Sequence, residues 1–70
     1  MNMSILGKNV KRLRQNRGLT QTELASEVGI STRTLSDIEN GKGNPGMETV
    51  QRLGEACQVE SLIELLEERP

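Results

Sequence analysis

Three residues, Gly29-Ile30-Ser31, separate two stretches whose apolar residues recur at helical spacing. Upstream, Leu24, Ala25 and Val28 form one stripe; downstream, Leu35 and Ile38 form another. Intervals of three and four residues place side chains on one face of a helix. A joint this short cannot carry the chain back for side-by-side antiparallel packing, so the two helices must cross steeply. The punctuation agrees with that reading. Thr20-Gln21-Thr22-Glu23 is a capping box, in which a hydroxyl and a carboxylate satisfy free backbone N–H groups, and Gly29 ends the helix it opens. Ser31 is a good N-cap for the next helix, which Asn40-Gly41 ends. The second helix keeps Leu35 and Ile38 inward and leaves Thr32, Arg33, Ser36 and Asp37 with no reason to be buried.

The rest of the chain has the same periodicity and no sustained alternation, so five short helices are expected and no strands. The first runs from about Ile5 to Asn16, with Leu6, Val10 and Leu13 on its core face and Lys8, Lys11 and Arg12 off it. Arg17 and Gly18 close it, a cation at the helix C-terminus followed by a glycine. The fourth follows Asn44-Pro45-Gly46 and reaches about Cys57, with Val50, Leu53, Ala56 and Cys57 as its stripe. The fifth, about 61–69, starts at Ser61, which forms a second capping box with Glu64; Leu62, Leu65 and Leu66 share a face. Ile63 lies off that stripe, either as a dimer contact or as a cover for one end of the core. Residues 1–70 form a single all-α domain, and a chain this short hides only about 60% of its unfolded surface. A partner copy often supplements so thin a core.

Composition removes several classes of chemistry. The chain has no His, no aromatic residue and one cysteine. A zinc site draws mainly on Cys and His, and the usual Ser or Cys nucleophiles need a histidine base, so no metal, cofactor or catalytic site is expected. Single-stranded nucleic acid is usually held on aromatic platforms, which are missing. One cysteine makes no intrachain disulfide, no apolar run approaches a membrane span, and no signal peptide is visible, which points to a cytoplasmic protein. "GKGNPG" has the letters G-x-G-x-x-G, but a helix precedes it and Pro45 interrupts it, so it reads as a turn. Cys57 reads as a small core residue, and Glu64, Glu67 and Glu68 as a solvated face.

The overall balance, nine basic against ten acidic residues, hides a division. Residues 1–43 hold seven basic and four acidic residues; residues 44–70 hold two and six. A polyanion feels the field of the surface that faces it, not the average. The N-terminal part is therefore suited to phosphates and the C-terminal part to facing away from them.

A steeply crossed pair of this kind is a helix-turn-helix unit, here about residues 20–40, whose second helix fits a major groove about 12 Å wide. From Leu13 to Cys57 the chain reads "LRQNRGLTQTELASEVGISTRTLSDIENGKGNPGMETVQRLGEAC". The "LTQ-ELA--VGIS" stretch, the "IENGK" ending and the "NP--ET---L" opening of helix four occur together and in order. This run resembles the lambda-repressor-like (Cro/C1-type, XRE) helix-turn-helix family, over nearly the whole chain. The resemblance implies a compact five-helix DNA-binding domain. It implies that Thr32, Arg33, Ser36 and Asp37 face the bases. It implies backbone contacts at Gln21, which also braces the recognition helix, at the N-cap Ser31, and at Asn40 and Lys42 after the helix. Lys11 on helix one is expected as a further phosphate contact. It implies that Arg14 and Glu39 form an ion pair linking helix one to the end of helix three.

The chemistry at those positions suits the role. Arg33 can bond guanine O6 and N7 together, and Thr32 can pack its methyl on that of thymine. Asp37 can accept from cytosine N4 or pair with Arg33 four residues earlier, and both alternatives stand. Two positions depart from the family pattern: Gly46 stands where a serine usually caps helix four, and the recognition helix lacks the glutamines of several phage repressors. The function implied is sequence-specific, double-stranded DNA-binding transcriptional regulation, as a repressor that binds an inverted repeat as a homodimer. The alternative is an antitoxin-type module that engages a toxin or another protein partner through the C-terminal helix.

Overall fold

The computed structural model describes residues 2–69. Among them it has five helices and no strand: α1 (Met3–Asn16), α2 (Gln21–Val28), α3 (Thr32–Glu39), α4 (Met47–Ala56) and α5 (Ile63–Leu66). α1 begins two residues before the expected Ile5 because the Asn2 side chain caps it, accepting from the N–H groups of Ser4 at 2.9 Å and Ile5 at 3.1 Å. The Thr20–Glu23 capping box is complete. Ser31 caps α3 by accepting from Thr34 N, and Gly46 gives α4 no side-chain cap.

Four helices end alike. Gly18, Gly29, Gly41 and Gln58 all have positive φ, and each is followed by a residue whose N–H bonds back across the last turn. The pairs are Leu19 to Arg14, Ile30 to Ala25, Lys42 to Asp37 and Val59 to Gly54, at 2.8–3.2 Å. This is the Schellman arrangement, which satisfies carbonyls that the helix leaves free. At Gly29 it also supplies the sharp turn between α2 and α3.

Leu6, Val10, Leu24, Leu35, Val50, Leu53 and Leu65 are fully buried, so each of the five helices contributes to one core. α1 packs on α3 and α5, and α2 packs on α3 and α4. The α1–α3 approach depends on Gly7, where a Cβ would collide with the carbonyl oxygens of Ile38 and Glu39. Leu13 and Ala56, expected in the apolar stripes, are only half buried.

α5 differs from its expectation. Its helical turn is four residues long, Ile63–Leu66, and Ser61 is not its reciprocal cap. The Ser61 hydroxyl accepts from Ile63 N (3.2 Å), while the Glu64 carboxylate accepts from Glu60 N (2.8 Å) and, more weakly, Ser61 N (3.4 Å). Only the carboxylate half of the box forms, so Glu64 is a capping group and not simply a solvated carboxylate. The segment is instead held from outside. Asn9, buried on α1, donates its side-chain amide to the carbonyls of Leu65 and Glu67, both at 2.8 Å. Those are carbonyls a short helix cannot satisfy by itself. Ile63 is 57% exposed and covers no end of the core.

Candidate DNA interface

The outer surface of α3 carries the expected side chains. Thr32 and Arg33 are exposed, and Ser36 and Asp37 are half buried at its edges. The Arg33 side chain is 89% exposed, and its Nε lies 3.8 Å from Asp37 Oδ2. That is an ion pair at i,i+4, too long for a hydrogen bond. Two residues not singled out from the sequence join this surface. Thr34 is exposed beside Arg33 and shares its hydroxyl with Ser31 at 2.8 Å. Thr22 on α2 meets the Thr32 hydroxyl at 3.4 Å across the turn. A contact between two helices leaves no mark in the periodicity of either, so sequence spacing did not reveal it.

Beneath this surface lies a buried polar hub. Arg14 Nε and Nη2 donate to the two carboxylate oxygens of Glu39 at 2.7 and 3.0 Å, and Arg14 Nη1 donates to the Leu19 carbonyl at 2.7 Å. The side chains are 10% and 2% exposed. Gln21 Nε2 donates to Glu39 Oε1 at 3.0 Å. One carboxylate therefore ties α1, the N-terminus of α2 and the C-terminus of α3 together. Bidentate Arg–carboxylate geometry is among the strongest that side chains offer. Gln21 thus braces α3 through Glu39, and its second amide proton points to no partner among the described residues.

The cations divide by role. Arg14 is committed to the hub. Arg17 donates to Glu27 at 2.8 Å and to the Ala56 carbonyl, tying the ends of α1 and α4 to α2. Lys11 and Lys42 are exposed and form no ion pair among the described residues. Gly7 and Arg14 both face α3, so Lys11, four residues after one and three before the other, lies along the same edge of α1. Arg12, beside Asn9, is turned toward α5. Asn40, the exposed C-cap of α3, and Lys42 follow that helix in sequence. Lys42 borders a shallow hollow of about 270 Å³ together with Thr34, Asp37, Asn44, Pro45 and Thr49. The Ser31 hydroxyl is engaged on both sides by Thr34, accepting at 3.0 Å from its N–H, so its first role is as cap.

The single thiol is not part of this surface. Cys57 is buried in the core, and burial pushes it up to about 11, partly offset by nearby Arg17. The capping bond from Thr20 N holds the Glu23 carboxyl below its usual range. Among the described residues no helix is long and apolar enough to cross a membrane.

Comparison with known proteins matches this geometry. The sequence model of the helix-turn-helix family covers residues 10–65. The chain is 40% identical over 62 residues to an uncharacterised HTH-type transcriptional regulator, y4dJ, of Sinorhizobium fredii, spanning 89% of this chain and 79% of that one. It is 40% identical over 58 residues to the HTH-type transcriptional repressor RghR of Bacillus subtilis (81% and 43%). It is 46% identical over 46 residues to the antitoxin PezA of Streptococcus pneumoniae (66% and 29%). It thus spans less than half of the latter two. Among solved structures, the N-terminal DNA binding domain of SinR from Bacillus subtilis superimposes with a TM-score of 0.83 at 30% identity, over 94% of this chain and 96% of that one. With α2 and α3 crossed at Gly29 and the polar outer face of α3 braced through Glu39, the chain belongs to the Cro/C1-type (XRE) helix-turn-helix family of DNA-binding transcriptional regulators.

Proposed function

We propose that this chain is a sequence-specific repressor that reads an inverted-repeat operator in double-stranded DNA as a homodimer. The observation that carries the reading is the outer face of α3. Thr32, Arg33, Ser36 and Asp37 stand on a helix fixed from beneath by Glu39, and none of the four is needed to fill the core. In the major groove that face meets base edges. Gln21, Ser31, Asn40, Lys42 and Lys11 flank it and contact phosphates, which supply most of the affinity and its salt dependence. Occupying an operator blocks competing proteins, an action that asks nothing of this chain beyond a DNA-reading surface. The repressor named among its relatives supports the same reading.

The homodimer rests on Ile63, 57% exposed on α5 where a monomer gains nothing from an apolar side chain. Two-fold copies set their recognition helices about 34 Å apart, one turn of the duplex. Selection from a random double-stranded DNA pool near physiological salt tests the whole reading. The expected result is an inverted repeat, lost with Arg33→Ala and reduced to a half-site with Ile63→Asp. A folded protein that enriches no sequence overturns it.

A second reading is favoured by two observations: Ile63 stands among exposed Glu60, Glu64, Glu67 and Glu68, and a relative is named as an antitoxin. Here α5 docks a basic protein partner. Sedimentation separates the two, since a protein that stays monomeric at high concentration and on duplex DNA supports the second.

A further inference from the structure

We propose that Asp37 is a positioning residue for Arg33: it orients the guanidinium toward one guanine and reads no base itself. The inference rests on the DNA-reading role of α3 proposed above and assigns a division of labour within it.

Arg33 is 89% exposed and attached by a long, flexible stem, so unassisted it would sample many rotamers. Asp37 stands one turn further along the same face, with its Oδ2 3.8 Å from Arg33 Nε. The closest approach is at Nε, not at the terminal nitrogens. A guanidinium held by its Nε edge keeps Nη1 and Nη2 for the paired acceptors O6 and N7 of guanine. The attraction across the 3.8 Å separation strengthens as the groove excludes solvent and the local dielectric falls.

The carboxylate also needs a partner once it enters a groove walled by phosphates. Asp37 is half buried at the edge of α3, beside the hollow that Lys42 borders, so it reaches less far outward than Arg33. Arg33 is within reach before DNA arrives, whereas a cytosine amine must be approached at the expense of that pair. The arginine therefore carries the base contact, and the aspartate restricts where the arginine points.

The test uses the 70-residue chain on its selected operator and on single-base variants of it. Arg33→Ala identifies the base pair that Arg33 reads, as the one position where preference for guanine collapses. The expected result is that Asp37→Ala and Asp37→Asn relax preference at that same base pair, by about tenfold, and leave the others unchanged. The Arg33→Ala/Asp37→Ala protein then discriminates no worse than Arg33→Ala alone, because the aspartate acts only through the arginine. If Asp37→Ala relaxes a different position, additively with Arg33→Ala, Asp37 reads its own base and the inference is wrong. If it tightens binding to every sequence equally, Asp37 merely repels phosphate and the inference is also wrong. A wild-type chain that selects no site removes the reading beneath the inference, and the inference with it. Thermal melting confirms folding, which neither exposed Arg33 nor half-buried Asp37 supports through the core.

Discussion

Glu39 is two residues' worth of constraint in one side chain. Its two oxygens take Arg14 as a fork, and one of them also takes Gln21. Glu39→Ala leaves the Arg14 guanidinium buried without a counter-charge, which costs about 3–5 kcal/mol. A 70-residue domain has about 4–10 kcal/mol in all. Urea denaturation should therefore show Glu39→Ala losing most of its stability. Arg14→Met/Glu39→Leu should lose much less, since no lone charge remains. Cys57 makes a different demand. Its thiol, ordinarily near 9.0, is pushed up to about 11 by burial. Below pH 9 it is protonated folded and unfolded, and its contribution is fully present. Between pH 9 and 11 the unfolded chain releases the proton first, so stability falls as pH rises. Melting temperature should decline across that interval, and more shallowly in Cys57→Ala.

At the scale of elements, the repeated helix ending exposes one position that the sequence leaves unoptimised. Gly18, Gly29 and Gly41 adopt positive φ with no Cβ to strain, but α4 ends on Gln58 at φ 60. A left-handed non-glycine residue costs roughly 1–2 kcal/mol, of which glycine's extra freedom in the unfolded chain returns part. Gln58→Gly should stabilise the domain by about 1 kcal/mol, raising its melting temperature by roughly 4–8 °C. The exposed side chain makes no hydrogen bond among the described residues, so nothing offsets that gain. The opposite end of α4 is the weaker cap expected from Gly46, and Gly46→Ser adds only a few tenths of a kcal/mol.

For the whole molecule, folding sharpens the charge division already present along the chain. Arg14 and Arg17 are drawn into internal ion pairs, so the cations available to phosphates are fewer than the basic count. Lys11 lies along the α3 edge of α1 and Lys42 follows α3, whereas Glu60, Glu64, Glu67 and Glu68 gather about α5. Each phosphate contact contributes about −0.9 to the slope of log K against log salt. Lys11→Gln and Lys42→Gln should each reduce that slope by about one on the selected operator, measured by titration at several salt concentrations. Glu60→Gln should leave it unchanged.

Local signals were enough for much of this. The capping box at Thr20, the glycines at 18, 29 and 41, and the apolar intervals of α2 and α3 act within a few residues, so helix number, order and the crossed pair were readable from residues alone. The same periodicity left Thr32, Arg33, Ser36 and Asp37 outside the core, and the Arg14–Glu39 pair came from family resemblance. What depended on the tertiary structure joins residues far apart in sequence. Asn9 finishing α5, Arg17 reaching Ala56, Thr22 meeting Thr32 and Gln21 sharing the Glu39 carboxylate have no local signature. For the same reason α5 was expected longer than its single turn: its leucines repeat at helical spacing, but its last carbonyls are satisfied by α1 and need no further helix. Backbone periodicity and capping are local properties that a sequence states directly, while the partners of buried polar groups exist only once the helices have packed.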